Sequence, residues 1–287
     1  MTLSIKERQE KAYKLDNYKV IDLDNKKSNI CYVFCSSNGL YTSLDSNKIF
    51  DKNKYEWENI CQNKKIRKNA IRIIFLRDIY CHSYVDGINE RVNSIFKIVE
   101  LIKDLTKGYD VYTVGYSGGG YLSMILGCYL DNCTRVYSFG GLFNLRLWHG
   151  DHSNYCFEQC GFYTKYLNTP REKFYEIKNL IINTKSKDKI LHFYGSLHKE
   201  DVLQIDYIGT RVDSIPINSD KHSDGLFSFD LVKLITINDK RFNKISKIKI
   251  KRKLTPTTFS IKYFGLCHYL WGQINRSFKR LKRMWKK

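Results

Sequence analysis

The chain has 287 residues, 43% of them hydrophobic and 14% aromatic, enough to fill the core of one sizeable α/β domain with an appendage. No run of about 18 apolar residues occurs, and the N-terminal stretch lacks the apolar segment of a secretion signal, so we expect neither a membrane span nor export. The nine cysteines lack the dense spacing of a disulfide scaffold and are predicted to be thiols of a cytoplasmic protein.

The net charge of +20 is concentrated near the C-terminus. Residues 239–287 carry sixteen Lys and Arg against a single acid. We therefore predict a globular domain over residues 1–253 and a basic tail over residues 254–287. This charge bears on where the protein sits in the cell rather than on its chemistry.

Apolar segments with the period of strands and of helices alternate along the globular part. Strands are predicted at 18–23, 30–35, 70–76, 111–114, 135–139, 189–194 and 212–217. Helices are predicted at 55–61, 89–107, 121–126, 200–208 and 226–237. The alternation predicts an α/β fold with a doubly wound, mostly parallel sheet that binds ligands at its carboxyl edge. Residues 141–187 interrupt it and are predicted to form a cap insertion over that edge.

A G-x-S-x-G motif, Gly115-Tyr116-Ser117-Gly118-Gly119, joins a predicted buried strand to a predicted helix. Such a sharp turn holds the serine side chain clear of the sheet, at the positive end of the helix that follows. Ser117 is thus a candidate nucleophile, and the Gly118 backbone N–H is a candidate donor to an oxyanion. The alternative is a glycine-rich turn that only packs a helix on a strand.

A nucleophilic serine needs a base, and the base needs an orienting carboxylate. His222 is the candidate base, because among the seven histidines it alone lies in a loop after the last predicted core strand. Asp201 is the candidate acid, because it follows the strand predicted at 189–194. A solvated loop histidine and a simple helix cap are the respective alternatives. The fallback carboxylates are Glu200, Asp206 and Asp188.

Three further positions complete the predicted site. The loop after strand 30–35 offers the backbone N–H of Ser37 or Asn38 as a second oxyanion donor, although an ordinary turn explains it equally well. Arg77 and Asp78 end the strand at 70–76 and are candidate substrate contacts together with Tyr116. An ion pair between Arg77 and Asp78 is the alternative.

These pieces together resemble the α/β-hydrolase superfamily, particularly serine-hydrolase-like proteins associated with bacterial capsule and surface-polysaccharide genes. The resembling segments are Phe75–Asp78, Tyr84–Ile88, Gly115–Tyr121, Tyr194-Gly195 followed by Asp201, and the loop at His222. The resemblance implies that Ser117, Asp201 and His222 act as nucleophile, orienting acid and general base.

The resemblance also implies acyl-ester chemistry. The first expectation is an esterase or deacylase that acts on a glycan or a small ester without a cofactor. The alternatives are a polysaccharide O-acetyltransferase with acetyl-coenzyme A as donor, and a catalytically silent hydrolase-fold protein that binds partners at a membrane-associated assembly.

Four metal-ligating residue types recur in the predicted cap, at His149, His152, Cys156 and Cys160. Their spacing of three, four and four residues admits a zinc site on one helical face. The segment lacks a helical apolar pattern and a paired C-x-x-C, so we expect a cysteine-rich packed cap without metal.

The tail has apolar residues at helical spacing with basic residues between them. The apolar positions after Phe259 are Tyr263, Phe264, Cys267, Leu270, Trp271, Ile274, Phe278, Leu281 and Trp285. This pattern predicts a basic amphipathic helix that binds the anionic inner face of the membrane. The alternatives are an oligomer contact, docking on the body and nucleic-acid binding; the last is not expected, because nothing else in the chain resembles a nucleic-acid module.

Overall fold

The computed structural model describes residues 5–36, 55–147, 162–184, 186–222, 226, 228–248 and 254–284. Seven strands form one sheet, in the order β1-β3-β2-β4-β5-β6-β7. They are β1 (Tyr18–Asp22), β2 (Ile30–Cys35), β3 (Arg72–Leu76), β4 (Asp110–Tyr116), β5 (Cys133–Phe139), β6 (Ile190–Gly195) and β7 (Ser214–Ile217). Only the edge strand β1 runs antiparallel to its neighbour. The predicted doubly wound, mostly parallel sheet is confirmed.

Helices cover both faces of this sheet. Those in the described ranges are α1 (Ile5–Tyr13), α2 (Lys64–Asn69), α3 (Ile95–Leu105), α4 (Ser117–Tyr129), α5 (Phe162–Lys165), α6 (Lys178–Asn183), α7 (Lys199–Ile208), α8 (Ser228–Ile235), α9 (Asp239–Ser246), α10 (Pro256–Phe264) and α11 (Leu266–Met284). Short 3-10 turns lie at Glu58–Gln62, Leu145–Leu147, Glu172–Tyr175, Ser186–Lys189 and Gly209–Arg211.

Alternate residues of each central strand feed two separate cores. In β2, Val33 and Cys35 belong to the core that also holds α3 and α4, whereas Tyr32 and Phe34 belong to the opposite one. A strand buried on both faces needs apolar residues at successive positions, and β2 has them. The sequence Ile-Cys-Tyr-Val-Phe-Cys is therefore explained by its position in the middle of the sheet.

The chain changes winding direction between two adjacent strands, β2 and β4. From β2 it passes to β3 on one side, and β4 then pairs with β2 on the other side. The carboxyl ends of β2 and β4 lie next to each other, because Cys35 is in register with Gly115. In doubly wound sheets, ligands bind in the crevice that forms at such a switch point.

The described part of the predicted cap contacts both the loop after β3 and the helix α3. Lys165 and the Tyr166 hydroxyl bond to Asp86, in the loop after β3. Farther along, Phe174 packs its ring 4.9 Å from that of Phe96 in α3 and is fully buried. Residues 148–161 of the insertion lie outside the described residues.

The predicted tail begins inside the body. Leu254 forms a β-bridge with Ile217 of β7, and Phe259 of α10 is completely buried in the second core. A break at Gly265, whose φ is 95°, separates α10 from α11. Within the described ranges, no helix has the length and apolarity needed to cross a membrane. The domain boundary at residue 254 stays a prediction, but Leu254–Phe264 pack as part of the globular body.

Candidate active site

The G-x-S-x-G segment forms the turn from β4 into α4, and Ser117 is the first residue of that helix. Its φ of 46° lies in the left-handed region, which residues with a side chain seldom adopt. Two glycines make this turn sterically feasible. A Cβ on Gly115 would lie 2.2 Å from the Gly119 carbonyl oxygen, and a Cβ on Gly119 would lie 2.2 Å from that of Cys35. The motif therefore brings α4 against the end of β2 with Ser117 at the corner.

Three predicted residues form a continuous chain of hydrogen bonds. The Nε2 atom of His222 lies 2.9 Å from Ser117 Oγ, and its Nδ1 atom lies 2.5 Å from Asp201 Oδ1. The other carboxylate oxygen of Asp201 accepts the Gly195 backbone N–H at 2.9 Å. The structure thus joins residues separated by more than 100 positions in sequence, in the arrangement that activates a serine hydroxyl.

The ionisation of Asp201 suits a role beside an imidazole. Burial raises the pKa of this carboxyl. The hydrogen bond and charge of His222, together with the Gly195 N–H, lower the pKa by more than burial raises it, so that the pKa ends below its usual value. An ionised Asp201 fixes the tautomer in which His222 carries its proton on Nδ1 and accepts at Nε2. The carboxylate that contacts His222 is therefore Asp201, whereas the fallbacks Asp206 and Asp188 are exposed.

His198 is a neighbour of the site that the sequence analysis did not select. It caps α7, where its Nδ1 atom accepts the Asp201 backbone N–H at 3.3 Å, and its ring centroid lies 5.2 Å from that of His222. A histidine cap is unusual, since Ser, Thr, Asp and Asn are the preferred N-cap residues. Only the tertiary contact with His222 identifies it.

One group of side chains in the described ranges has the spacing of a metal site. The ligand atoms of His198, Asp201 and His222 lie within 4.8 Å of one another. Two of these residues are already joined by the hydrogen bond from His222 to Asp201, which accounts for their approach. The candidate zinc ligands His149, His152, Cys156 and Cys160 lie outside the described residues.

Aromatic rings pack around the residue that precedes the serine. Tyr116, the residue before Ser117, stacks on Trp57 at 4.6 Å and contacts Phe139 at 4.9 Å. Trp57 has φ of 71° and leads into the turn at Glu58–Gln62. The sequence predicted Tyr116 as a substrate contact but did not predict its stacking with Trp57, because nothing in the Trp57 segment marks a tertiary contact.

Arg77 and Asp78 are buried and used within the fold. The Nε–H of Arg77 donates to Asn17 Oδ1 at 2.8 Å, and its guanidinium lies over the Tyr55 ring. The Asp78 carboxylate accepts the Tyr84 backbone N–H at 2.9 Å, and burial raises the Asp78 pKa to about 6. With each residue only 1% exposed, these contacts favour a structural role in the loop after β3 over the predicted contact with substrate.

The two proposed sources of oxyanion donors differ in how far the structure describes them. Gly118 is buried in the first turn of α4, directly after Ser117. Ser37 and Asn38 lie outside the described residues. The preceding residue, Ser36, is buried, and its N–H donates to the Leu76 carbonyl at 3.1 Å, so the strand end that leads to them is fixed beside the elbow.

A cavity of about 590 Å³ lies away from this site, under the cap segment. Its lining includes Tyr129, the last residue of α4, whereas Ser117 is the first. An α-helix of thirteen residues is about 18 Å long. None of the residues that line the cavity belongs to the hydrogen-bonded group at Ser117, so we assign it no part in the chemistry.

The sheet topology and the elbow define the fold. A strained serine joins a central parallel strand to a helix, and its hydrogen-bonded partners Asp201 and His222 follow it in that order along the chain. This combination is the α/β-hydrolase arrangement. The fold predicted from the sequence is therefore the one that the structure has.

No protein-family model matches the chain, and no curated protein matches it. Solved structures similar to it include MenH from S. aureus, at 12% identity over 82% of this chain and 100% of that one, with a TM-score of 0.45. A lipase-esterase related protein from Clostridium acetobutylicum has 16% identity over 79% and 99%, with a TM-score of 0.45. Acetyl xylan esterase 1 from Thermoanaerobacterium has 14% identity over 76% and 77%, with a TM-score of 0.43. Likeness at this level carries no argument about function.

Proposed function

We propose that the protein is a serine esterase or deacylase that works through an acyl-enzyme on Ser117. The observation that supports this is the hydrogen-bonded sequence Ser117–His222–Asp201, with distances of 2.9 and 2.5 Å, at a serine whose backbone is left-handed. A glycine-rich turn with only a packing role needs neither the strain nor the imidazole.

In the proposed reaction, His222 Nε2 takes the proton of Ser117 Oγ as that oxygen attacks the acyl carbon of the ester. The Gly118 N–H, with Ser37 or Asn38 as second donor, stabilises the negative charge on the former carbonyl oxygen. The intermediate collapses, the ester C–O bond breaks, and the leaving alkoxide takes the proton from His222. Water then attacks the acyl-enzyme, gives its proton to His222, and the acid departs as Ser117 recovers the proton.

The proposed substrate is an ester carried by a glycan or by a small molecule. The resemblance to capsule-associated proteins supports a glycan. The acceptor of the acyl group distinguishes two enzymes that share the formation of an acyl-enzyme. Water as acceptor gives an esterase, and a sugar hydroxyl gives an O-acetyltransferase with acetyl-coenzyme A as donor. We place the esterase first because its second step needs only water.

The test is labelling with a fluorophosphonate probe, followed by mass spectrometry of the Ser117 peptide and by turnover of p-nitrophenyl acetate. We expect labelling at Ser117, and we expect Ser117→Ala to lower kcat by about a millionfold, since a triad acts as a unit. Ser123→Ala is the matched control, because it removes a hydroxyl from the same helix that instead bonds the Gly119 carbonyl. A folded protein that neither labels nor turns over would favour the silent binding protein.

Acetylation of candidate polysaccharides in the presence of acetyl-coenzyme A, followed by mass spectrometry of sugar and protein, distinguishes transfer from hydrolysis. Acetyl groups on the sugar, with loss of this product in Ser117→Ala, would establish the transferase instead. Release of acetate from an acetylated polysaccharide would establish the esterase.

A further inference from the structure

The helix α11 carries a row of large apolar side chains that are not buried. Leu266, Leu270, Trp271, Ile274 and Phe278 are between 49% and 65% exposed. All five lie within thirteen residues of one helix, at the spacing that puts them on a single face. We call these five residues the apolar stripe. Exposed apolar residues grouped in this way indicate an interaction surface.

The opposite face of α11 contacts the protein. His268 Nε2 lies 2.9 Å from Asp230 Oδ1, and the hydroxyl oxygens of Tyr269 and Thr257 lie 3.5 Å apart. Gly272, on the same side of the helix, is buried. At about 100° per residue, the centre of the apolar stripe lies about 170° around the helix from this contacting side. Docking of α11 on its own body therefore leaves the stripe uncovered.

A buried carboxylate fixes this orientation. Asp230 of α8 is completely buried and its Oδ1 atom accepts the Ser260 hydroxyl of α10 at 2.9 Å while it also contacts His268. The His268 ring is supported by Phe264, whose ring lies 5.4 Å away. The first turn of α11 is thus held to two helices of the body, and the helix extends from that attachment with its stripe outward.

The charge of the same segment selects the partner. Residues 254–287 contain eight Lys and Arg and no acid. Four of them, Lys279, Arg280, Lys282 and Arg283, fall within five residues near the end of α11. An apolar face on a cationic helix is complementary to an anionic lipid surface, whose acyl chains take the apolar residues and whose headgroups take the charges.

We propose that α11 is a surface anchor that lies in the plane of an anionic phospholipid bilayer, with the apolar stripe inserted among the lipids and the globular body on the aqueous side. The attachment is independent of any reaction at Ser117. A nucleic acid is a poorer partner for this helix, since three of the five stripe residues, Leu266, Leu270 and Ile274, are aliphatic and offer bases no stacking surface.

The first test is co-sedimentation of the full-length protein with vesicles of phosphatidylcholine, alone or with about 30% phosphatidylglycerol. We expect binding to the anionic vesicles, and a loss of at least about tenfold in affinity in the double variant Trp271→Ser/Phe278→Ser, because each side chain loses its apolar burial. Both residues are more than 60% exposed, so the fold does not depend on them. The matched control is Leu167→Ser, a leucine 50% exposed outside the helix, which should bind as the wild type does.

The second test concerns charge. Lys282→Gln/Arg283→Gln should weaken binding to anionic vesicles, and added salt should weaken wild-type binding, because the attraction is screened. Lys103→Gln/Lys107→Gln, at exposed positions of α3 and the turn after it, is the control with the same change of charge.

The depth to which α11 enters the bilayer is measured by quenching of tryptophan fluorescence with brominated lipid. Trp271 fluorescence should be quenched on anionic vesicles, and Trp271→Phe should keep the binding while losing that part of the quenching. Three results would overturn the proposal: double-variant binding equal to wild type, an oligomer that the double variant converts to monomer without loss of vesicle binding, or tight binding of a single-stranded oligonucleotide with none to anionic vesicles.

Discussion

Asp201 is the residue of the candidate site whose replacement gives the most selective test. An Asn at this position would direct an amide N–H₂ towards either the Gly195 N–H or the His222 Nδ1–H, both of which are donors to the present carboxylate. We expect Asp201→Asn to lower kcat on p-nitrophenyl acetate by about 10⁴-fold, because His222 is left in the wrong tautomer.

Asp206→Asn is the control for that substitution. It makes the same chemical change on the same helix, at an exposed carboxylate, and should leave kcat within about twofold of wild type. If the two variants were equally active, Asp201 would not be the orienting acid.

How much of the site the sequence predicts depends on how local each signal is. Ser117 is predicted by five consecutive residues, and Asp201 and His222 by their order after it along the chain. Trp57 contacts Tyr116 and His198 contacts His222 through tertiary structure alone, so no pattern in their own segments marks them. Arg77 and Asp78 were predicted from their position at a strand end, and that position does not distinguish a side chain that faces substrate from one that closes a loop.

At the scale of elements, Asp86 forms hydrogen bonds with residues from three separate segments of the chain. Its carboxylate bonds His82 at 2.5 Å, Lys165 at 2.6 Å and the Tyr166 hydroxyl, and its carbonyl accepts the Tyr13 hydroxyl at 2.5 Å. It therefore holds the loop after β3 between α1 and the end of α5 in the cap segment.

We expect Asp86→Asn to lower the free energy of unfolding by about 3 kcal/mol at neutral pH, because His82 and Lys165 lose a buried anion. Burial raises the Asp86 pKa, but the hydrogen bonds from His82, Lys165 and Tyr166 outweigh it and hold the pKa well below its usual range. A carboxyl whose pKa is lower in the folded than in the unfolded state stabilises the fold at pH values above its unfolded pKa. That stabilisation is lost as the pH falls towards the folded pKa. Denaturation of both proteins across pH should show their difference shrink below about pH 4.

The control for this prediction is Asp104→Asn, an exposed carboxylate on α3. It should change the unfolding free energy by less than about 0.5 kcal/mol. A difference between Asp86→Asn and wild type that stayed constant down to low pH would show that the carboxylate is not ionised in the folded protein.

The elements that the sequence predicted and those that it missed differ in apolar content. The central strands and α3 carry continuous or periodic apolar residues, and their predicted positions agree with the structure to within a few residues at most ends. By contrast α2 and α9, with the sequences KKIRKN and DKRFNKIS, bury only Ile66 in one and Phe242 and Ile245 in the other. One or two buried apolar residues in a charged segment give too weak a period to identify a helix, although they suffice to dock one on an existing sheet.

At the scale of the whole molecule, two truncations test where the body ends and the tail begins. Removing residues 266–287 should leave p-nitrophenyl acetate turnover within about twofold and abolish binding to anionic vesicles, since α11 contributes the exposed stripe rather than core. Removing residues 254–287 should instead lower the melting temperature sharply, because Leu254, Phe259 and Phe264 leave the second core. The melting temperatures and turnover of the two truncated proteins measure this contrast. Equal melting temperatures would show that α10 belongs to the tail and not to the body.

The sequence identified the excess of positive charge in the tail but not the direction of its apolar residues. Helical spacing alone is equally compatible with a stripe against the body and a stripe away from it. The contact from His268 to Asp230 decides between them, and it joins residues 38 positions apart on separate helices. A pattern within one helix contains no information about which side its neighbours occupy.

Ser117 has a backbone conformation that glycine adopts without strain, so a chain selected for stability alone would exchange this serine for glycine. This strained corner of the fold is thus also a place where a single substitution to glycine would remove backbone strain. A chain in which this hydroxyl had no chemical use would therefore gain stability by losing it.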